Sequence, residues 1–210
     1  MGHRGTHDRA NHMIDWARYG IAGHPGSEWS MDGRHAEWVK ATLVALKPAA
    51  AVEVGCHLGV STLAILEAGV PDVHLIDVRI TDSVRAMATD YGATLYEETS
   101  ETALPKVPLS PNMAVLVDGD HSLPVVQKEA ELLDRMAPRV VIAHDVTAQH
   151  IGLGCEGCAW FWHALQCSGW YCYVDCIPRP GERTARGLLI ATRTPEDHAA
   201  VVAAWLEANA

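Results

Sequence analysis

Four residues at the ends of two apolar runs carry the most chemistry in this chain. Asp118 and His121 follow the run Met113–Val117, and His144 and Asp145 follow the run Val140–Ala143. Two carboxylates, Asp118 and Asp145, suit a hard divalent cation such as Mg²⁺ or Mn²⁺, while a His144 ligand shifts the preference toward Mn²⁺, Fe²⁺ or Zn²⁺. A cation held there can bind both oxygens of a vicinal diol and lower the pKa of one hydroxyl. His121, whose imidazole ordinarily titrates near neutrality, can then accept the hydroxyl proton as a general base. Plainer readings stay open: both acids can cap strand ends, and His121 can be a structural hydrogen-bond partner. Asp120 either caps the helix that begins near Pro124 or supports the cation ligands from behind.

A second constellation lies earlier. Val52-Glu53-Val54-Gly55-Cys56-His57-Leu58-Gly59 passes from β-branched strand residues into a turn with two glycines, and Ser61 and Thr62 open the helix that follows. A strand, tight turn and helix in this order face a nucleotide-like ligand. Asp77 closes the next apolar run, Val73–Ile76, where an acid can accept hydrogen bonds from both ribose hydroxyls. The turn lacks the third glycine of a dinucleotide fingerprint, so NAD or another nucleotide also fits it. His57, inside the turn, reads as a packing residue of the ligand loop.

The elements that must position these residues alternate. Asp32 offers an N-cap to a helix through His35, Trp38, Leu43 and Leu46, stopped by Pro48. Strands are expected at 52–55, 73–77, 94–97, 113–117, 140–143, 171–177 and 187–192. Helices are expected at 61–68, 82–91, 124–136 and 159–167, with a last one from Thr194-Pro195. This pattern predicts an α/β fold of Rossmann-like type: a mostly parallel seven-stranded sheet, helices on both faces and an antiparallel hairpin at one edge. Residues 1–30 read as an N-terminal extension with a short helix at Ile14–Tyr19, and 31–210 as a single domain. Ligands in such sheets sit beyond the carboxyl ends of the strands, where all the residues singled out above fall.

The order Val-Glu-Val-Gly-x-x-x-Gly-Val-Ser-Thr, Ile-Asp, Val-Asp-Gly-Asp-His-Ser, Ala-His-Asp resembles a class I methyltransferase. It is most similar to the group of cephalosporin hydroxylase-like proteins and macrocin-type sugar O-methyltransferases, over roughly residues 35–192. The resemblance implies that Glu53, Gly55 and Gly59 line an S-adenosylmethionine pocket with His57, Ser61 and Asp118, that Asp77 meets the ribose, and that Ser100 lies near the adenine. It implies that Asp118 and Asp145 bind a divalent metal and that His121 is the general base. His144 departs from related sugar methyltransferases, which place an acid there. The expected reaction is methyl transfer to a hydroxyl of a sugar or polyhydroxylated natural product. The rivals are a metal-independent N- or O-methyltransferase, and a non-catalytic protein that binds S-adenosylmethionine or a nucleotide.

A formal net charge of -10 argues against nucleic acid as a partner, which calls for a basic face. No apolar stretch is long enough for a membrane span, so a soluble cytoplasmic protein with a small-molecule acceptor is expected, and self-association is plausible. Cys155-x-x-Cys158, with Cys167, Cys172 and Cys176, can pack as small apolar residues, hold a structural zinc, or do redox chemistry. Packing is the expected role, with Cys172 and Cys176 sharing one face of a strand. Thr147–Gly157 is expected to admit the acceptor beside Trp160, Phe161, Trp162, Trp170, Tyr171 and Tyr173, most of them core. Trp16, Trp29 and Trp38 are candidates for a lid.

Overall fold

Continuous apolar runs become strands covered on both faces. In the computed structural model, which describes residues 14–21, 31–108, 110, 112–147, 155–177 and 186–208, β1 (Ala50–Val54), β4 (Met113–Val117), β5 (Val140–His144) and β7 (Leu188–Thr192) are buried at every position. That is why their sequences show no polar alternation. With β2 (Asp72–Asp77), β3 (Thr94–Glu97) and β6 (Tyr171–Asp175) they form one sheet in the order β3-β2-β1-β4-β5-β7-β6. Neighbours are parallel except that β7 runs antiparallel to both β5 and β6. The expected edge hairpin is present, with β7 inserted beside β5 and β6 left outermost.

Alternate strand residues feed two cores. Leu188 and Ile190 join Ala51, Leu75 and Leu116 under α1 (Gly33–Leu46), α2 (Val60–Glu67), α3 (Asp82–Tyr91) and α7 (Pro195–Ala208). Leu189 and Ala191 join Val52, Val115 and Val141 under α4 (Ser100–Ala103), α5 (Leu123–Met136) and α6 (Glu156–Cys167). The chain leaves β1 toward β2 and leaves β4 toward β5, so a crevice opens at the carboxyl ends of β1 and β4. Asp32 caps α1 by accepting from His35 N at 2.8 Å.

The structure corrects several expectations. The single turn α4, too short to show a periodicity, follows β3. Helix α6 begins at Glu156 rather than Ala159, and β6 ends at Asp175, so Cys176 lies past the strand and shares no face with Cys172. Trp38 is 1% exposed and meets Tyr173 and Trp205 edge-on, so it is core, not lid. Trp16 lies in a 3-10 turn, Trp16–Tyr19, packed on the same core; Arg18 and Tyr19 bond Asp90 of α3 at 2.9 and 2.8 Å. Trp29 and positions 148–154 of the expected acceptor loop lie outside the described residues. No helix among the described residues is long and apolar enough to cross a membrane.

Candidate active site at the carboxyl ends of β1, β4 and β5

The glycine turn is built against the β4 end. Gly55 has φ +88°, and a Cβ there would stand 2.2 Å from the Asp118 carbonyl oxygen, so only glycine lets the two backbones meet. Glu53 is fully buried and accepts hydrogen bonds from the Ser61 hydroxyl and, at 2.6 Å, from Thr62 Oγ1. Burial pushes its carboxyl up to about 7 despite those hydroxyls. Glu53 and Ser61 therefore brace the turn from beneath. Asp77 ties the turn to β2: Oδ2 accepts from Cys56 N at 2.8 Å and His57 N at 3.0 Å, and Oδ1 from Arg79 N at 2.9 Å. Oδ1 keeps a lone pair for a ligand hydroxyl. His57 is exposed, with φ +46°. Gly59, φ +93°, starts α2. Val78, 68% exposed beside Asp77, is an apolar face that sequence reasoning passed over. Ser100 opens α4 and neighbours Glu129 of α5 on the β3 side of the crevice.

The polar cluster sits between the β4 and β5 ends. His144 Nδ1 lies 3.3 Å from Asp118 Oδ1 and 3.4 Å from Asp145 Oδ1. His121 Nε2 lies 3.3 Å from Asp118 Oδ1, and its Nδ1 lies 3.5 Å from Asp145 Oδ2. Asp145, directly after β5, holds a left-handed backbone, φ +57°. Close as they are, His144 Nδ1, Asp145 Oδ1 and His121 Nε2 have no hydrogen-bond partner among the described residues. Buried polar atoms left this way want a ligand.

Charge explains the titration behaviour. Burial alone would pull His121 and His144 down; the facing carboxylates outweigh it, raising His144 and pushing His121 up to about 10, with the Cys155 thiol contributing. Burial works to raise Asp118, but His144 and His121 hold it well below the usual carboxylate range. Without another cation, the two imidazoles carry the positive charge that this pair of acids demands.

Asp118, His144 and Asp145 form a group with metal-ligand spacing. The separations of 3.3 and 3.4 Å from His144 Nδ1 to the two carboxylates are those of ligands bonded at about 2.0–2.2 Å to one first-row ion. The residues fit a divalent cation. Asp120 is exposed and accepts from Ser122 N at 2.9 Å, so it forms the turn into α5 and does not back the ligands.

Several site residues were not legible as such. His35 of α1 places Nδ1 3.2 Å from His144 Nε2 and lies against Asp32 and Asp175. Arg34 pairs with Asp175 and donates to Ile177 O at 3.1 Å, fixing the end of β6. Arg186 Nη1 lies 3.8 Å from Asp145 Oδ2. Cys155, at the start of α6, puts Sγ 3.5 Å from His121 Nδ1. Of the five clustered cysteines, Cys155 and Cys158 are buried, Cys172 is half-buried, and Cys167 and Cys176 are exposed; only Cys155 enters a group with metal-ligand spacing among the described residues. Phe161 is core, Trp160 and Trp162 pack beside it, and Tyr171 is exposed.

A family profile described as a methyltransferase domain matches residues 52–146. Comparison with curated proteins finds no match in sequence. The fold is similar to that of TomG, an O-methyltransferase of Streptomyces achromogenes involved in tomaymycin synthesis and solved with SAM, at 14% identity and TM-score 0.65, over 84% of this chain and 87% of that one. It is similar to an O-methyltransferase of Bacillus cereus in complex with SAH, at 13% identity and TM-score 0.61, over 79% and 83%. The SAH-bound methyltransferase PaMTH1 of Podospora anserina aligns at 15% identity and TM-score 0.58, over 88% and 87%. Residues 52–146 thus match a methyltransferase-domain profile, and the chain shares the fold of these solved methyltransferases.

Proposed function

We propose that the protein transfers the methyl group of S-adenosylmethionine to a hydroxyl of a small molecule, a sugar or polyhydroxylated natural product, with a divalent cation held by Asp118, His144 and Asp145. The observation that carries this reading is the convergence of two orphaned buried atoms, His144 Nδ1 and Asp145 Oδ1, beside the Gly55 turn at the crevice. The similar folds of O-methyltransferases, one of them involved in tomaymycin synthesis, support the acceptor class.

The turn at Gly55–Gly59 and the free lone pair of Asp77 hold the cofactor's ribose, and Val78 offers an apolar face to its base. A nitrogen among the ligands favours Mn²⁺ over Mg²⁺. When bound, the cation supplies charge that orients the acceptor diol and lowers the pKa of one hydroxyl. With Asp118 and Asp145 balanced by such a cation, His121 would be free of its proton and could take one from the attacking oxygen. The oxygen forms a bond to the methyl carbon as the carbon–sulfur bond breaks, the electron pair going to sulfur. The protein's part is alignment, proton removal and electrostatics.

The test is calorimetric titration of S-adenosylmethionine and of Mn²⁺ into wild type, Asp77→Ala and Asp118→Ala. Cofactor binding lost in Asp77→Ala, and Mn²⁺ binding lost in Asp118→Ala with cofactor binding kept, support both halves of the site. Turnover that survives exhaustive chelation would sink the metal half, and a wild type that ignores the cofactor would sink the whole reading.

A further inference from the structure

A second set of ligand atoms adjoins the first and shares a residue with it. His121, Asp145 and Cys155 present one ligand atom each within 4.8 Å of one another. His121 Nδ1 stands 3.5 Å from Cys155 Sγ and 3.5 Å from Asp145 Oδ2. The neighbouring group uses the other oxygen, Oδ1, of Asp145. The Asp145 carboxylate thus faces both sets, the arrangement of a bridging ligand in a two-metal centre.

The thiol is held in place by the fold. A Cβ on Gly157 would meet His121 O at 2.7 Å and Ser122 O at 2.8 Å, so α6 is seated directly on the β4–α5 turn, and Gly157 N donates to His121 O at 3.1 Å. That seating brings Cys155, buried at the helix start, against the His121 ring. Sulfur, nitrogen and oxygen in one set is the chemistry of a borderline-soft ion, with bonds of about 2.3 Å to sulfur and 2.0–2.2 Å to nitrogen and oxygen. Among the described residues one opposing charge is present: the Arg186 guanidinium stands 3.8 Å from the same Asp145 oxygen and competes with a cation there.

We propose that His121 Nδ1, Asp145 Oδ2 and Cys155 Sγ form a second cation position, selective for a thiophilic divalent ion of the Zn²⁺ class, joined to the Asp118–His144–Asp145 position through Asp145. An ion there occupies the Nδ1 lone pair of His121. Zn²⁺ then inhibits the enzyme where Mn²⁺ supports it, an effect that rests on the role of His121 proposed above, whereas the binding position itself does not.

The test uses the purified 210-residue chain. X-ray absorption at the zinc edge of wild type loaded with one equivalent of Zn²⁺ is expected to show one sulfur scatterer, and Co²⁺ in its place a sulfur-to-cobalt charge-transfer band. The band should persist in Asp118→Asn and vanish in Cys155→Ser and Cys155→Ala, with Zn²⁺ affinity down at least tenfold. Arg186→Gln should bind Zn²⁺ several-fold more tightly. A zinc shell of nitrogen and oxygen alone in wild type, or a band that survives both Cys155 substitutions, overturns the position. Sulfur ligation through Cys155 without cofactor binding would instead uphold the position and sink the methyltransferase reading.

Discussion

His35 Nδ1 lies 3.2 Å from His144 Nε2, and the two rings meet edge-on with centroids 5.3 Å apart. The other nitrogen of His144 is the one that faces Asp118 and Asp145. If that nitrogen is to ligate a cation it must be unprotonated, so Nε2 of His144 carries the proton and faces His35 Nδ1, while the His35 ring is itself held between Asp32 Oδ2, 3.2 Å from Nδ1, and Arg34 and Asp175, each 3.4 Å from Nε2. His35 thereby orients the proposed ligand His144 from an element outside the residues matched by the methyltransferase-domain profile. His35→Ala is expected to weaken Mn²⁺ binding by roughly 10- to 100-fold while leaving S-adenosylmethionine affinity near wild type, and His35→Gln to recover part of the loss. Calorimetric titration of both ligands reads this out; an unchanged Mn²⁺ affinity in His35→Ala would remove His35 from the site.

The two turn glycines are not equivalent. At Gly55 the added methyl meets fixed backbone at 2.2 Å, whereas at Gly59 the nearest atom is the flexible end of Met87 at 2.8 Å. Both have positive φ, so both substitutions bear strain, but only Gly55→Ala must also separate the β1 and β4 ends. Gly55→Ala should cost about 3 kcal/mol or more and abolish cofactor binding; Gly59→Ala should cost roughly 1–2 kcal/mol and keep measurable binding. Urea unfolding with cofactor titration compares them, and a Gly59→Ala as damaging as Gly55→Ala would show that strain, not the backbone contact, dominates.

Arg139 offers a contrast at the opposite ends of the strands. Its guanidinium pairs with Asp197 at 2.6 and 2.8 Å and donates to Leu46 O at 2.8 Å and Asn112 Oδ1 at 3.1 Å, tying α1, α7 and the entrance to β4 together. The pair is partly exposed, which limits its worth, but the forked geometry and the carbonyl add to it. Arg139→Ala should lower stability by about 1–2 kcal/mol with cofactor and Mn²⁺ affinities intact. A change in either affinity would mean that the lower face communicates with the crevice.

The strands, the glycine turn and the acids after β2, β4 and β5 were legible because each is a local signal: an unbroken apolar run, glycines at a forced turn, a polar residue where a buried strand surfaces. What local signals could not give is which residues meet. His35 and His144 are 109 positions apart, and His35 on its own helix reads only as a buried position of α1. Glu53 and Ser61 are expected beside the cofactor; what the sequence does not show is that they bond each other, a carboxylate in a dry core taking the hydroxyls of Ser61 and Thr62 at the start of α2. Cys155 carried a signal in its spacing to Cys158, yet its partner is an imidazole from another loop. Helix α4 was invisible because a single turn has no period to detect.

Glu129 makes stability depend on pH. It is buried on α5, neither carboxylate oxygen has a hydrogen-bond partner among the described residues, and burial, with the charge of Asp120 adding to it, pushes its carboxyl up to about 7 although the nearby Ser100 hydroxyl and His121 work the other way. The folded state therefore keeps a proton that the unfolded chain releases near its ordinary value of 4.5. Below that value Glu129 is neutral in both states and adds no pH-dependent cost; as pH rises from there to about 7 stability falls, and above the folded pKa the loss is complete, at most about 3 kcal/mol from this group. Glu129→Gln removes the titration but keeps the shape. Relative to wild type its stability should improve by about 1–3 kcal/mol between pH 4.5 and pH 8, whatever constant offset the buried amide adds. Urea unfolding of both proteins at pH 5 and pH 8 measures the difference; an offset that is the same at both pH values would mean that Glu129 ionises without penalty in the folded chain.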